Sequence, residues 1–459
     1  MFGLVLTLTL GCERDISDDA APATFAKTGE IFIDTPVGMG TDFYFPFANS
    51  YQEAVSFEGE GFESTNSIRI DVPNPNDPNG NFAGAIFRVD GSGRDLTDFD
   101  ALTFYAKASR GVTVGEVGFG LDFLEDKFRV TSEGLSIGTN WVKYVIPIPD
   151  ASKLLEERGM FWYSAGTQSN GDSGYILWFD DIKFEKLGNI GQPRPLISDG
   201  FDVTVDTFIG ASATVTGLSE TFNLGSGLEK TIAVSPNYYE FTSSNPAVAT
   251  VSENGSINVL TSGSTVITAT LNGLDAQGSL TVNSSGEFPF APVPTRDPST
   301  VTSIFSDAYN SINVDFFNGF WEPFQTTLSA DFAVDGDNIL NYTNFNFVGN
   351  QFSSPTVDAT IQSNLHVDMY IPGELPSLFD FLITVRDFGE DGSDGGGDDA
   401  FQQIFINPSS FDIEANTWIS IDVPITMAQR DRIGLIIYEN INFATLRNFY
   451  LDNIYFYSN

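Results

Sequence analysis

One strand-like phrase occurs twice in this sequence and constrains its fold more than any other feature. YILWFDDIKFEKL occupies positions 175–187, and FYLDNIYFYSN occupies positions 449–459. Because side chains alternate between the two faces of a strand, Asp180 and Asp452 each share a face with large apolar residues. A buried carboxylate is costly unless it is paired, hydrogen-bonded or bound to a metal ion. Two strands with this same feature predict two copies of one β-module.

Other phrases recur in the same order in both copies. They are IFID (31–34) and IFSD (304–307), NSIRIDV (66–72) and DNILNYT (337–343), DALTFYAKA (100–108) and NLHVDMYIP (364–372), and TNWVKYVIPI (139–148) and NTWISIDVPI (416–425). The last pair aligns Trp141 with Trp418, and we expect these two and Trp178 to pack in the module cores. Each match is weak alone, and their shared order predicts an internal duplication.

Composition predicts an all-β, multidomain chain. Its 459 residues are too many for one ordinary core. Short apolar runs rich in Phe and Tyr are interrupted by Asn, Asp, Gly and Pro, which favours strands and turns. Long segments with a helical period of apolar residues are nearly absent, which indicates the all-β class.

The charge of the chain narrows the range of partners. The formal net charge is −40, from 61 acidic and 21 basic residues. Phosphate binding depends on clustered Lys and Arg, so nucleic acid is excluded as a partner and anionic membranes are repelled. Polyanionic polysaccharides are disfavoured, whereas a neutral partner or a cation fits. The alternative is that the acidity only keeps an exposed protein soluble.

The only cysteine, Cys12, follows the short apolar run MFGLVLTLTLG. That run is too short to span a bilayer and resembles the central region of a secretory signal. The sequence TLGC resembles a bacterial lipobox, and the acidic ERDISDD after it resembles the surface-export signal of Bacteroidota lipoproteins. The resemblance implies a lipoprotein signal at 1–12, lipidation of Cys12 and a flexible tether at 13–27. It also implies that the protein lies at the cell surface, attached to the outer membrane only by the lipid. The alternative is an ordinary signal peptide with an incidental cysteine.

Three domains are predicted after the tether. The stretch YEFTSSNPAVATVSENGSINVLTSGSTVITATLNG (239–273) resembles the bacterial immunoglobulin-like group 2 domain, which implies a small β-sandwich spacer at 199–284. The Pro-rich stretches GQPRPLISDG (191–200) and SSGEFPFAPVPTRDP (284–298) are expected to be linkers. The two copies, at 28–190 and 296–459, resemble jelly-roll, galactose-binding-like carbohydrate-binding modules in their closing strand phrases.

The complete arrangement resembles a surface glycan-binding lipoprotein of a Bacteroidota polysaccharide-utilisation system. PVPTRDPSTVTSIFSDAYNSINVDFFNGFW (292–321) is similar to the first segment of modules attached to laminarinases. The resemblance implies non-catalytic capture of a neutral polysaccharide, laminarin or another β-1,3-glucan, for uptake and degradation, with an outer-membrane glycan importer complex as a further partner. One alternative is a surface adhesion or scaffold protein with a protein partner, and another is a glycanase.

Candidate ligand-binding residues are aromatic. Flat rings cover the apolar C–H faces of sugars, while polar groups at the edge orient the hydroxyls. Trp162, with Phe161 and Tyr163, precedes a polar Gly-rich loop and is one predicted platform. Trp321 and Phe324, in FFNGFWEPFQ, form the other. The alternative for each group is that it plugs the core of its sandwich.

Few residues point to catalysis. Triads and histidine-metal centres need partners that the single histidine, His366, lacks. The Glu-x-Asp-x-Glu phrase of the β-glucanase family whose enzymes carry such modules is missing. Because glycosidases need only two carboxylates, hydrolysis stays an alternative, and the expectation is a protein that is not an enzyme.

The resemblance also implies a structural Ca²⁺. Jelly-roll carbohydrate-binding modules commonly hold this ion between their first and last strands, where it takes six to eight oxygen ligands. The matching carboxylates are Asp34 and Asp180 in the first copy, and Asp307 and Asp452 in the second. The alternative is that each aspartate accepts hydrogen bonds from backbone amides.

Overall fold

A computed structural model describes residues 24–38 and 43–458 of the chain. Cys12, the signal at 1–12 and most of the tether at 13–27 lie outside the described residues. Within those ranges the chain forms strands and four short 3-10 turns, Ala151–Lys153, Ser198–Gly200, Pro236–Tyr238 and Pro298–Thr300. The predicted all-β class is confirmed. No helix in the described ranges has the length and apolar character needed to cross a bilayer.

The chain divides into two compact units. One contains the described residues up to Phe201, with Thr216–Glu240 and Ala269–Gly278, and the other contains Asp202–Val215, Phe241–Thr268 and the residues from Ser279 onward. The immunoglobulin-like segment predicted at 199–284 therefore contributes residues to both units.

The first module is built from two antiparallel sheets. Its strands are β1 Glu30–Ile33, β2 Thr35–Pro36, β3 Phe43–Tyr44, β4 Val55–Glu58, β5 Ser67–Val72, β6 Ala83–Arg88, β7 Ala101–Ala108, β8 Val112–Phe119, β9 Val130–Ile137, β10 Val142–Pro147, β11 Gly159–Ala165 and β12 Tyr175–Glu185. One sheet has the order β10-β7-β12-β5-β4, with β1 and β2 added along the second half of β12, and the other has β9-β8-β11-β6-β3. Phe104 and Phe179 from the first sheet meet Phe161 from the second in the core.

The middle segment contributes eleven short strands among the described residues. They are β13 Gly191–Leu196, β14 Asp202–Thr207, β15 Ser212–Thr214, β16 Ser219–Asn223, β17 Glu229–Val234, β18 Tyr239–Ser243, β19 Ala249–Val251, β20 Ser256–Val259, β21 Gly263–Leu271, β22 Leu274–Asp275 and β23 Ser279–Ser284. The orders are β14-β23-β21-β18, with β22 on β21, and β15-β20-β19. Strands β13, β16 and β17 continue the sheet of the first module through β9.

The first predicted linker is a strand in the structure. β13 forms from GQPRPL and pairs with β16 at the outer edge of its sheet, where proline is tolerated because no neighbour needs its missing N–H. The second predicted linker has no regular structure, yet Phe288 within it is buried. Neither stretch is therefore a free spacer.

The second module repeats the topology of the first. Its strands are β24 Val301–Phe305, β25 Leu328–Val334, β26 Asp337–Thr343, β27 Phe347–Gln351, β28 Asn364–Tyr370, β29 Phe381–Asp387, β30 Ala400–Ile406, β31 Trp418–Pro424, β32 Ile433–Asn440 and β33 Phe449–Tyr457. The sheet orders β31-β28-β33-β26-β25 and β30-β29-β32-β27 match β10-β7-β12-β5-β4 and β9-β8-β11-β6 of the first module. Strand β24 pairs with β33 as β1 pairs with β12, whereas β2 and β3 have no counterpart among the described strands. The predicted duplication is confirmed in the order of the strands.

The repeated sequence phrase forms a β-bulge in the central strand of each module. The pairing of β12 with β7 and of β33 with β28 shifts at Asp181 and Asn453, whose φ angles are 46° and 50°. Asp and Asn tolerate this left-handed region better than other side chains. Asp180 and Asp452 accept hydrogen bonds from the bulge amides, at 2.7 and 2.6 Å. The Asp-Asp and Asp-Asn pairs are therefore the sequence of a bulge.

Candidate functional site

One face of the four-stranded sheet of the second module points away from the core. The inner face carries the apolar side chains of Val348, Ile383, Ile404 and Ile436. Cross-strand pairing arranges the opposite face, here called the platform face, in three rows: Phe347–Glu439–Leu382–Phe405, Gly349–Ile437–Thr384–Gln403 and Gln351–Leu435–Arg386–Phe401. Four strands at about 4.8 Å spacing give it a width of roughly 14 Å.

Trp321 lies against the platform face at Gly349. A Cβ atom on Gly349 would stand 2.3 Å from the indole Cη2 atom, so only glycine allows the ring to approach the backbone this closely. The indole also stacks near Phe347, with ring centroids 6.1 Å apart and planes 25° apart. Trp321 is half-buried, so part of the ring remains accessible. It is therefore a fixed aromatic surface at one edge of the face.

The loop that carries Trp321 is held by side-chain amides. Asn318 is buried and donates to the carbonyl of Thr327 while accepting from the amide of Phe320. Gln325 donates to Asn318 and accepts from the amide of Trp321 at 3.1 Å. This network fixes the loop in advance, which reduces the conformational entropy that a ligand must remove.

Two phenylalanines form the opposite edge of the platform face. Phe401 and Phe405 lie on the edge strand β30 and are 63% and 52% exposed. Between the two edges, Leu382, Thr384 and Leu435 are each less than a tenth exposed, so the centre is a floor flanked by rings. Phe401 and Phe405 are not among the residues predicted from the sequence, although the alternation in AFQQIFI places both on one face of a strand.

The platform face offers no free cation among its described residues. Arg386 forms ion pairs with Asp394 and Asp399, at 3.0 and 2.7 Å. Glu439 is half-buried, and its burial raises the pKa of its carboxyl group. Gln403 is exposed and can both donate and accept hydrogen bonds. Such a surface suits hydroxyl groups better than carboxylates or sulfates.

The structure exposes rings of the second predicted platform and buries those of the first, which is therefore wrong as a ligand surface. Trp321 is half-buried at the platform face, and Phe324, in the same loop, is 76% exposed. Phe161, Trp162 and Tyr163 are at most 2% exposed, so none of them presents a ring face to a ligand. They lie inside strand β11, and the polar loop begins only after Ala165.

Burial of the first group has two causes. Phe161 and Tyr163 point into the core, where both contact Phe179. Trp162 points to the other face and lies against Gly118, as Trp321 lies against Gly349. It is then covered by Arg129, whose guanidinium carbon is 4.7 Å from the ring centroid.

The three remaining tryptophans lie on the outer faces of their sheets. Trp178 stands opposite Lys107 on the other sheet of the first module, while its neighbour Phe179 is fully buried. Trp141 and Trp418 hold matching positions at the start of β10 and β31 and, like Trp178, are half-buried. The expectation that Trp141 and Trp178 pack in a module core is wrong, because strand alternation turns them outward. Trp418 also faces outward from the sandwich, but it packs against a buried cluster that contains Phe288, Tyr370 and Tyr450.

The four aspartates expected to bind Ca²⁺ do not fit that role. Asp34 accepts hydrogen bonds from the backbone amides of Thr65 and Asn66, at 2.7 and 2.8 Å. Asp180 likewise accepts from the amide of Phe62 and the hydroxyl of Ser64. These donors direct hydrogen atoms at the oxygens that a cation would need.

Asp307 and Asp452, the two aspartates expected to bind Ca²⁺ in the second module, do not fit that role either. Asp307 accepts from the amide and the side chain of Asn338, at 2.6 and 3.0 Å. Burial, with repulsion from nearby aspartates, raises the pKa of Asp452 to about 7. In the described ranges, no group of three or more acidic, histidine or cysteine side chains is placed to share a metal ion. The residues therefore fit bulge and turn formation better than calcium binding.

A groove of about 790 Å³ in the first module places two carboxylates together. Burial raises the pKa of Glu157 to about 7, and Asp122 adds to that shift. Glu157 accepts hydrogen bonds from the amides of Arg158 and Gly159. Asp122 accepts from the amide of Leu124. Because both carboxylates hold backbone turns, the groove has no feature that requires a catalytic role.

Comparison with known proteins identifies one domain of the chain. Residues 228–282 match the bacterial Ig-like domain (group 2) family. A family 30 carbohydrate-binding module shares 17% identity, with 34% of this chain and 87% of that chain covered and a TM-score of 0.25. A family 11 module from Clostridium thermocellum, in complex with a β-1,3-1,4-mixed-linked tetrasaccharide, shares 15% identity, with 35% and 96% covered and a TM-score of 0.25. A search of curated protein sequences gives no match.

At these identities and TM-scores, the likeness to solved structures assigns neither a fold family nor a ligand to this chain. The chain is a multidomain, all-β protein with a group 2 bacterial Ig-like domain at residues 228–282. The resemblance that the sequence shows in that segment is confirmed.

Proposed function

We propose that this protein is a non-catalytic, cell-surface glycan-binding protein that captures a neutral polysaccharide. The single observation that supports the proposal most is the platform face, where Trp321, Phe401 and Phe405 flank a floor whose one described cation, Arg386, is already paired. Flat rings at two edges can cover the apolar faces of successive sugars along one chain. The polar groups between them orient hydroxyls.

The nature of the polysaccharide follows from charge and from the sequence resemblance. Arg386 is already paired, and the chain has a net charge of −40, so a uronate or sulfated polymer is disfavoured. Laminarin, a β-1,3-glucan, is the proposed ligand because of the resemblance to laminarinase-attached modules. A lipid on Cys12 would hold the protein at the outer membrane, beside a glycan importer.

The proposal is tested by affinity electrophoresis and calorimetry on laminarin, mixed-linkage glucan, xylan and alginate. We expect Trp321→Ala to weaken laminarin binding by about tenfold or more, since a stacked ring is lost. Trp141→Ala, which removes an indole from a different face, is the matched control and should bind as the parent does. Retention by alginate alone, or full laminarin binding by Trp321→Ala, would contradict the proposal.

The same experiment separates the alternatives. An adhesion or scaffold protein would ignore all four polysaccharides and keep its protein partner when Trp321 is replaced. A glycanase would release new reducing ends from laminarin over hours of incubation, whereas the proposed protein leaves the polymer intact.

A further inference from the structure

The edge strand β30 of the second module has the features of a strand that accepts another strand. It is seven residues long, reads AFQQIFI and contains neither a charged residue nor a proline. β30 is the last strand of its sheet, and among the described residues no strand or bridge pairs with its outer side. Charged side chains, proline and short length are the usual protections of a free strand edge, and β30 lacks all three.

Two other edges of the second module do have such protection. At the opposite edge of the same sheet, Gln351 of β27 exchanges backbone hydrogen bonds with Phe316, at 2.8 and 3.2 Å. In the other sheet, the edge strand β31 contains Asp422 and ends at Pro424. Within the part of the chain that the structure describes, β30 has neither a covering segment nor a protecting residue.

The first module shows what this edge of the sandwich can hold. Strand β9 occupies the position of β30 in the matching sheet order. There β17 extends the sheet by antiparallel pairing with β9, through Ala233 opposite Thr131 and Val234 opposite Val130. The corresponding edge therefore accepts an additional strand in one module and is left free in the other.

The sequence of β30 is complementary to itself. Phe401, Gln403 and Phe405 alternate on the platform face. Antiparallel pairing of two β30 strands about Gln403 places Phe401 of each copy opposite Phe405 of the other. The acidic Asp399 then lies opposite Asn407 and not opposite another carboxylate. Aromatic cross-strand pairs stabilise antiparallel sheets, whereas like charges directly opposite destabilise them.

We infer that β30 is a dimerisation edge, at which two copies of this chain join their four-stranded sheets by antiparallel pairing about Gln403. The interface is isologous and uses the free edge of each copy, so the association stops at the dimer. Because Phe401 and Phe405 remain on one face, the platform faces of the two copies lie side by side. One strand pair is a small interface, so the dimer is weak. It does not depend on glycan capture by these faces.

Disulfide trapping tests the pairing in the intact chain with Cys12→Ser, which removes the only native thiol. Directly opposed residues of an antiparallel pair have Cα atoms about 4.5–5.5 Å apart, a separation that a disulfide spans. Gln403→Cys should therefore form a disulfide-linked dimer on mild oxidation. Gln351→Cys is the matched control, since it leaves β30 intact and places a thiol on the same face at the covered edge. It should stay monomeric.

Sedimentation velocity measures the reversible dimer in the Cys12→Ser chain over roughly 1 to 300 μM protein. The net charge of −40 opposes association, so the measurement uses about 0.5 M NaCl, at which this repulsion is screened. Gln403→Lys places two ammonium groups opposite each other at the centre of the pair, and we expect it to weaken the dimer about tenfold or more. A monomer at every concentration, a dimer that Gln403→Lys leaves unchanged, or equal cross-linking of Gln351→Cys and Gln403→Cys would overturn the inference.

Discussion

The single histidine is held as a cation by its surroundings. His366 is 8% exposed and lies between Asp422, at 2.9 Å from its Nδ1 atom, and Asp368, at 3.3 Å from its Nε2 atom. Burial alone lowers the pKa of His366, but hydrogen bonds to the two carboxylates outweigh it and raise the pKa to about 9. The sequence showed a polar strand position and could not show the second aspartate, which is 56 residues away.

This pairing predicts how stability depends on pH. Because the folded-state pKa is above the unfolded value of about 6.5, the stabilisation is complete below pH 6.5 and is lost as pH rises through about 9. The loss is on the order of 3 kcal/mol. We expect denaturant unfolding of His366→Gln to show a flatter decline of unfolding free energy between pH 6 and 9.5 than the parent shows.

Other buried groups act in the same direction, so the comparison must be between variants. The pKa values of Glu157 and Asp452 are raised to about 7, and that of Glu220 to about 8, chiefly by burial. Their ionisation also destabilises the folded protein as pH rises. Parallel curves for His366→Gln and the parent would show that the histidine is not paired as described.

At the scale of strands and loops, glycine decides where an indole can lie. Gly118 in β8 lies against Trp162, and Gly349 in β27 lies against Trp321. In the first module, Arg129 then covers the indole, whereas the second module leaves it half-exposed. The platform face therefore depends on the absence of a side chain at Gly349 as much as on the aromatic residues above it.

Gly349→Ala tests this arrangement without touching an aromatic residue. The added Cβ would meet the Trp321 ring, so the indole must move away from the sheet. We expect laminarin affinity to fall by about tenfold, as it would for loss of the ring itself. Gly138→Ala is the control, because a Cβ there meets nothing within 4 Å. Unchanged laminarin binding in Gly349→Ala would show that the position of Trp321 is unimportant.

The sequence was sufficient to predict the strands and the duplication, but not which side chains the sheet faces leave exposed. The alternation, the turn residues and the repeated order were enough for the all-β class and the duplication, because these are local patterns. Alternation alone could not separate Trp162 from Trp321, since burial of Trp162 depends on Arg129, a distant residue in the chain. The Asp180 phrase was recognised as unusual, but its bulge geometry requires backbone angles that a sequence does not contain.

At the scale of the whole molecule, charge acts on partners more than on the fold. The net charge of −40 produces a field that repels polyanions at low ionic strength, whichever face they approach. A neutral glucan does not experience this repulsion. Its proposed contacts on the platform face are ring stacking and hydrogen bonds, since Arg386 is already paired.

Binding of laminarin should therefore be nearly independent of salt. Raising the salt concentration from about 50 to 500 mM shortens the Debye length severalfold and screens exposed charges, yet it leaves stacking unchanged. We expect equal retention on laminarin gels across this range and no retention on alginate at the low end. A laminarin affinity that falls as the salt concentration rises would mean that an ion pair, and not the aromatic platform, holds the sugar chain.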